Sequence, residues 1–390
     1  MKTFLICLAL WLPFGTLVPA IAQETGEGKA RLPRPRVLGT EDRLTRDTAT
    51  GELRTTGAAV GEATPATAPA IRTRVTMVEV GCTIMAPDGT RVRGLGSKDF
   101  RIWENDAEQT IAAFDAAVTP ANVVLLFDAS PSIYRELGEM RDVSQSLSRS
   151  LGPGDEVAVA AFANRTLLLL PFSRDRELLS AALASSVLSR VADSSQSFIY
   201  QAVYLAAREL FSGRSGRKAI VLVTDGQDSG LGLSWDPRSM QPRPQTPSAL
   251  AFEDVARALG AEGIELYIIS TGSRPKEMTE AWLRAAHGQS LLTSEARRLE
   301  IPLYTLYLAE LVRQVGGGLY FLREMSSLAE VYHRIALELG AQYTLGYYPS
   351  AGIAQPGWRT LRVALYPEAL AALPGARLAF RDTYYVPATP

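Results

Sequence analysis

The sequence predicts an α/β fold: an open, doubly wound, mostly parallel sheet with helices on both faces, flanked by a small β module built from N- and C-terminal segments. Three observations carry this expectation. Five apolar runs, Asn122–Phe127, Glu156–Phe162, Lys218–Thr224, Ile264–Ser270 and Gly318–Leu322, read as strands buried on both faces. Helix-like stretches at about 134–150, 175–188, 198–212, 248–262 and 326–342 separate them, the alternation of a covered parallel sheet. Outside this block, short segments of period two lie on either side of it.

The chain has 390 residues, 47% of them apolar, which is room for roughly two or three domains of ~100–200 residues. Forty Lys and Arg against forty-one Asp and Glu leave a net charge of −1, so there is no basic footprint for nucleic acid. Two histidines and two cysteines are little material for a zinc site. Polar chemistry must come from carboxylates and hydroxyls.

The organisation follows from the start of the chain. Lys2, the apolar run Phe4–Pro19 with Pro13 and Gly15 inside it, and Ala20-Ile21-Ala22 form the pattern of a signal peptide over 1–22. The run is shorter than the ~20 residues a spanning helix needs, so the expectation is an exported protein, periplasmic or extracellular, without a membrane span after cleavage. Cys7 would leave with the signal, and Cys82 would remain without a partner. Residues 23–70, polar and rich in Gly, Ala, Thr and Pro, read as a disordered linker.

A small β module is expected at 71–117, with a strand at Arg72–Val80, a turn at Ala86–Gly89, a strand at Phe100–Trp103 and a charged turn at Glu104–Asp106. The α/β domain spans 121–340. The tail 341–390 alternates again at Tyr343–Tyr348, Arg359–Leu365, Arg377–Phe380 and Asp382–Val386, and is expected to join the first β module.

In an open parallel sheet, ligands sit beyond the carboxyl ends of the strands. There Asn122–Phe127 ends in Asp128-Ala-Ser130-Pro-Ser132, and Lys218–Thr224 is followed by Asp225-Gly226. A third hydroxyl comes from Ser195 or Ser197, before the helix that starts near Phe198. Two carboxylates and three hydroxyls form an all-oxygen set, suited to a hard cation: Mg2+ first, with Mn2+ or Ca2+ as alternatives. The competing reading makes the serines helix caps and the aspartates turn residues. The pairing of two carboxylates at matching strand ends favours the metal.

Asp128-x-Ser130-x-Ser132 resembles the first segment of the metal-ion-dependent adhesion site of von Willebrand factor type A domains. Val223-Thr-Asp225-Gly226-Gln-Asp228 resembles the segment with the distal aspartate, and Ser197-Phe-Ile-Tyr-Gln-Ala-Val203 the middle one, with serine where the family usually has threonine. The resemblance implies direct contacts from Ser130, Ser132 and Ser197, with Asp128 and Asp225 acting directly or through water. With neutral oxygens in three positions the cation keeps much of its charge, so a protein partner is expected to complete the site with an Asp or Glu side chain. Phe100–Gln109, Gln342–Pro349 and Tyr384–Pro387 resemble the flanking motifs of a secreted acidobacterial-type group of such proteins.

Two alternatives accompany this reading: a Mg2+-dependent Rossmann-like phosphohydrolase with Asp128 as nucleophile, or the same scaffold without a functional metal. The first would usually have a second acid two residues on, where Ser130 stands, and a phosphate-binding lysine, whereas Lys218 begins its strand at the opposite end. A serine hydrolase lacks its base, since His287 and His333 fall in helical surroundings, and no catalytic residues are assigned. The Pro-rich loop 230–247 reads either as a variable excursion or as a rim of the metal face. In the second case Trp235 is an exposed anchor for a partner, and Asp236 is a candidate for the open metal position.

Overall fold

The computed structural model describes residues 32–39, 43–46, 53–56, 77–116, 120–131, 152–185, 196–245, 248–279, 282, 290–322, 343–350, 357–380 and 383–386, apart from 89 and 153, together with five positions within 331–339. The expected signal peptide, the expected helix at 134–150, both histidines, Ser132 and Ser195 lie outside these residues.

The first strands are β1 (Arg36–Leu38), β2 (Arg43–Arg46), β3 (Leu53–Thr56), β4 (Val78–Met85), β5 (Phe100–Glu104), β6 (Ala107–Gln109) and β7 (Ile111–Asp115). There follow β8 (Ala121–Asp128), β9 (Glu156–Phe162), β10 (Thr166–Ser173), β11 (Arg217–Thr224), β12 (Leu233–Trp235), β13 (Pro242–Pro244), β14 (Ile264–Ser270) and β15 (Gly317–Phe321). The last are β16 (Tyr343–Tyr347), β17 (Gly357–Leu365), β18 (Arg377–Phe380) and β19 (Thr383–Val386). Among the described residues the α-helices are α1 (Arg176–Leu183), α2 (Ile199–Leu210), α3 (Phe252–Glu262), α4 (Ser294–Arg298), α5 (Leu303–Val315) and α6 (Pro367–Ala371).

Among the described residues the central sheet has seven strands in the order β1-β10-β9-β8-β11-β14-β15. The five expected strands are its parallel part, β9 to β15. Their unbroken apolar character has a direct cause, since both faces are covered. Val124, Leu126, Ile220 and Leu222 pack with α2, α3 and α5 on one side. Val123, Leu125, Val221 and Val223 pack with α1 and with Val331, Tyr332 and Ile335 on the other. Each such buried side chain is worth about 1.5–3 kcal/mol relative to exposure.

Several elements were not foreseen, among them three that build or cover the central sheet. β10 adds antiparallel to β9, carrying Pro171 near its end. Helix α5 is buried on nearly every side, which removes the amphipathic contrast by which a helix is read. β1 pairs antiparallel with β10, and β2 pairs antiparallel with β3, so the disordered-linker reading of 23–70 fails at Arg36–Leu38, Arg43–Arg46 and Leu53–Thr56. Leu38 is buried, and the Gly39 amide donates to Glu209 Oε1 at 2.7 Å, anchoring this segment to α2.

The β module is a sandwich of two four-stranded sheets, β18-β4-β16-β7 and β19-β17-β5-β6, around one apolar core. Both sheets mix strands from before and after the α/β domain, as expected. One polar cluster is buried beside this apolar core. Glu104, expected in a surface turn, is the buried last residue of β5, and the turn proper is Asn105-Asp106, both at positive φ. Tyr347 of β16 and Tyr384 of β19 both donate to Glu104 Oε2, each at 2.6 Å. Each of the three flanking motifs thus supplies one member of a single buried cluster. Cys82 is buried in the same core, and that burial pushes its thiol up to about 12, so it is an inert packing group.

Candidate metal centre

The register of the parallel strands builds the site. β8 and β11 pair so that Phe127 lies opposite Val223, which brings Asp128 and Thr224 side by side at the carboxyl end. On the other side Asp128 pairs with Phe162 of β9. Asp128 is completely buried, and its carboxylate is filled by neutral donors. Oδ1 accepts the Ser130 amide at 2.9 Å. Oδ2 accepts the Ser197 hydroxyl at 3.1 Å and the Thr224 hydroxyl at 2.8 Å. Burial raises the proton affinity of Asp128, the hydrogen bonds from Ser130 and Thr224 oppose this, and the nearby Asp225 charge adds to it. Among the described residues no lysine or arginine forms an ion pair with it.

Three loops converge here, tied by backbone bonds. The Ala129 amide donates to the Phe162 carbonyl at 2.7 Å, and the Phe198 amide to the Ala163 carbonyl at 3.0 Å. Ser229 clasps Ser197 twice: its amide donates to the Ser197 carbonyl at 2.7 Å, and its hydroxyl accepts the Ser197 amide at 3.2 Å. The next contact replaces a missing cap. Helix α2 is preceded by Phe198, which offers no side-chain cap. Asp228 supplies it from the β11 loop, accepting the Ile199 amide at 2.7 Å and the Leu231 amide at 2.6 Å. Asp228 is largely buried, and that burial raises its proton affinity against these donors.

Asp225 is half-buried, and its Oδ1 accepts the Gln227 amide at 2.9 Å. Its position depends on the following glycine. Gly226 has φ +89°, and an added Cβ would lie 2.9 Å from Leu308 Cδ1 and 3.1 Å from Tyr304 Cδ2. Only glycine turns the chain that tightly against α5.

The structure therefore brings Asp128, Ser130 and Ser197 together, with Asp225 on the adjoining strand end. Sequence reasoning did not single out Thr224 or Asp228. A threonine ending a strand looks like β propensity, and the Asp228 cap joins residues 29 apart from the Ile199 amide.

Trp235 and Asp236 sit otherwise than expected. The 230–247 segment forms a hairpin, β12 with β13. Trp235 is half-buried and packs against the cluster of Met278, Leu291, Ile301 and Phe321, so it is not an exposed anchor. Asp236 accepts the Arg238 and Ser239 amides, each at 2.9 Å, and pairs with Arg243 at 2.8 Å. Those amide bonds hold its carboxyl below the usual range, and its charge is taken up within the hairpin.

The donor chemistry fits a hard divalent cation. Among the described residues the groups gathered there are carboxylate and hydroxyl oxygens, the donors such a cation takes, and no three His, Cys, Asp or Glu come together. A hydroxyl that gives its hydrogen to Asp128 keeps its lone pairs for another positive neighbour.

The fold and site together define an open α/β sheet with hydroxyls and carboxylates at its carboxyl edge. Residues 122–286 match the family model of the von Willebrand factor type A domain. No curated protein matches the chain. Among solved structures, the conserved hypothetical protein BatB from Bacteroides thetaiotaomicron is similar at 18% identity, covering 56% of this chain and 98% of that one, with a TM-score of 0.39. The mussel byssus proximal thread matrix protein 1 with a zinc-occupied MIDAS motif is similar at 18% identity over 60% of this chain and 49% of that one, TM-score 0.38. A von Willebrand factor type A protein from Catenulispora acidiphila is 13% identical over 75% of this chain and 74% of that one, TM-score 0.37.

Proposed function

We propose that this chain is an exported, non-enzymatic binding protein that engages a protein partner through a divalent cation held at the carboxyl edge of its sheet. Mg2+ is the first choice, with Mn2+ or Ca2+ as substitutes. The observation that carries this reading is the buried Asp128 carboxylate, which among the described residues takes only neutral donors, one of them the Ser197 hydroxyl whose oxygen keeps lone pairs to offer. Ser130, Ser132 and Ser197 would hold the cation by their oxygens, with Asp128 and Asp225 behind them or joined through water. When bound, the cation supplies a concentrated positive charge that accepts a further oxygen ligand. Neutral inner ligands leave much of that charge uncompensated, so an Asp or Glu of the partner is the complementary group. The apolar run at Phe4–Pro19 supports export, and among the described residues no helix is long and apolar enough to cross a membrane.

A phosphohydrolase is less well supported. Lys218 pairs with Glu262 at 2.7 Å at the opening end of β11, the opposite end of the sheet from Asp128. The test is thermal unfolding with Mg2+, Mn2+ or Ca2+, with and without EDTA. A cation at ~100-fold above its dissociation constant should stabilise the wild type by about 2.7 kcal/mol, reversibly, and Asp128→Ala should lose this. An unshifted wild type at millimolar Mg2+, Mn2+ and Ca2+, or turnover of a phosphoester that Asp128→Ala abolishes, would overturn the proposal.

A further inference from the structure

We infer that Thr224, which no part of the metal motif assigns, is a positioning residue that sets the cation affinity of the site through Asp128. This rests on the proposed cation and names a residue that acts behind its ligands. Thr224 is completely buried, and both functions of its hydroxyl are committed. It donates to Asp128 Oδ2 at 2.8 Å and accepts the Gly226 amide at 3.1 Å. The Gly226 amide belongs to a turn at φ +89° whose inner side is closed off by Leu308 and Tyr304, where an added Cβ would collide. The Thr224 hydroxyl therefore cannot turn away without abandoning a buried amide.

The consequence reaches the ligand. Asp128 Oδ2 receives two hydroxyls, from Thr224 and Ser197. With Thr224 holding one side of that oxygen, the carboxylate is pinned to β11, and Ser197 finds its acceptor in one place. That fixes the direction in which the Ser197 oxygen presents its lone pairs. Without the Thr224 hydroxyl, Asp128 keeps the Ser130 donors but loses the bond that sets its rotation. The same bond ties the Asp225-Gly226 turn to Asp128, so both carboxylates depend on one hydroxyl. Groups that orient metal ligands in this way commonly alter affinity by about 10–100-fold.

The experiment is a Mn2+ titration of the full chain, followed by the electron paramagnetic resonance of free Mn2+, for wild type, Thr224→Val, Thr224→Ala and Thr224→Ser. Thr224→Val keeps the shape and removes the hydroxyl; Thr224→Ala is the second hydroxyl-free variant should the first not fold. Circular dichroism establishes that each variant is folded. The expected result is a dissociation constant raised about 10-fold or more in the hydroxyl-free variants and restored to within about 3-fold of wild type by Thr224→Ser. A merely structural threonine would lower the melting temperature and leave Mn2+ affinity alone. Folded hydroxyl-free variants that bind Mn2+ as tightly as wild type, or more tightly, overturn the inference while the cation reading stands. A wild type that binds no Mn2+ overturns both.

Discussion

Glu104 in the β module and Asp128 in the α/β domain are both buried carboxylates, and each takes two side-chain hydroxyls on a single oxygen. The donors differ. Glu104 is held by two phenols at 2.6 Å, on strands that follow the α/β domain in the chain. A phenol is a more acidic donor and a poorer acceptor than an aliphatic hydroxyl, so this cluster is closed on itself. Asp128 is held by serine and threonine at 3.1 and 2.8 Å; the threonine oxygen accepts the Gly226 amide, and the Ser197 oxygen still has lone pairs to offer. One cluster completes its own hydrogen bonding and locks a sandwich. The other leaves a buried negative charge among groups able to face a cation.

The largest expected effect separates the two. Glu104→Ala strands two buried phenols, each at about 1–3 kcal/mol, and should lower unfolding free energy in urea by about 4 kcal/mol while leaving metal-induced stabilisation intact. A loss below about 1 kcal/mol would mean the cluster is no lock. Tyr384→Phe removes one bond to a charged acceptor and should cost about 1.5–3 kcal/mol by the same assay.

The phenols also predict a pH dependence. Burial, followed by the bond to Glu104, raises both Tyr347 and Tyr384 above the usual phenol range. The unfolded chain loses these protons near ~10, the folded one only at higher pH. Their contribution is therefore fully present below ~10 and is lost as pH rises beyond it. Stability measured from pH 9 upward should fall more steeply in wild type than in a Tyr347→Phe, Tyr384→Phe double variant. Parallel curves would contradict this.

The smallest effect sharpens the contrast. Asp128→Asn removes a buried charge without a cationic partner among the described residues, so metal-free stability should stay within about 1 kcal/mol of wild type, or rise. A drop of several kcal/mol would place Asp128 with Glu104 as a structural group.

How far the sequence foretold all this varies by element. The parallel strands were legible because strands buried on both faces leave continuous apolar runs. Asp128, Ser197 and Asp225 were legible because they follow strand or precede helix at one end of the sheet. β1 was not, since a three-residue strand anchored by Leu38 has no period to read. Nor was α5, whose Leu-Tyr-Thr-Leu-Tyr start resembles a strand and which lacks a polar face. The contacts that tune the site, Thr224 to Asp128 and Asp228 to Ile199, join residues far apart and exist only once the sheet has formed. Glu104 read as a turn because its neighbours Asn105 and Asp106 make one. Trp235 read as exposed because the Pro-rich sequence around it conceals a hairpin and a neighbouring apolar cluster.

The most direct measurement is the Mg2+-induced gain in unfolding free energy for Asp128→Asn set against Glu104→Gln under the same conditions. The gain should vanish in Asp128→Asn, whose own metal-free stability is near wild type. It should persist in Glu104→Gln, although that variant is the less stable of the two. A gain retained by Asp128→Asn, or lost equally from both, would contradict the assignment of the cation to the hydroxyls around Asp128.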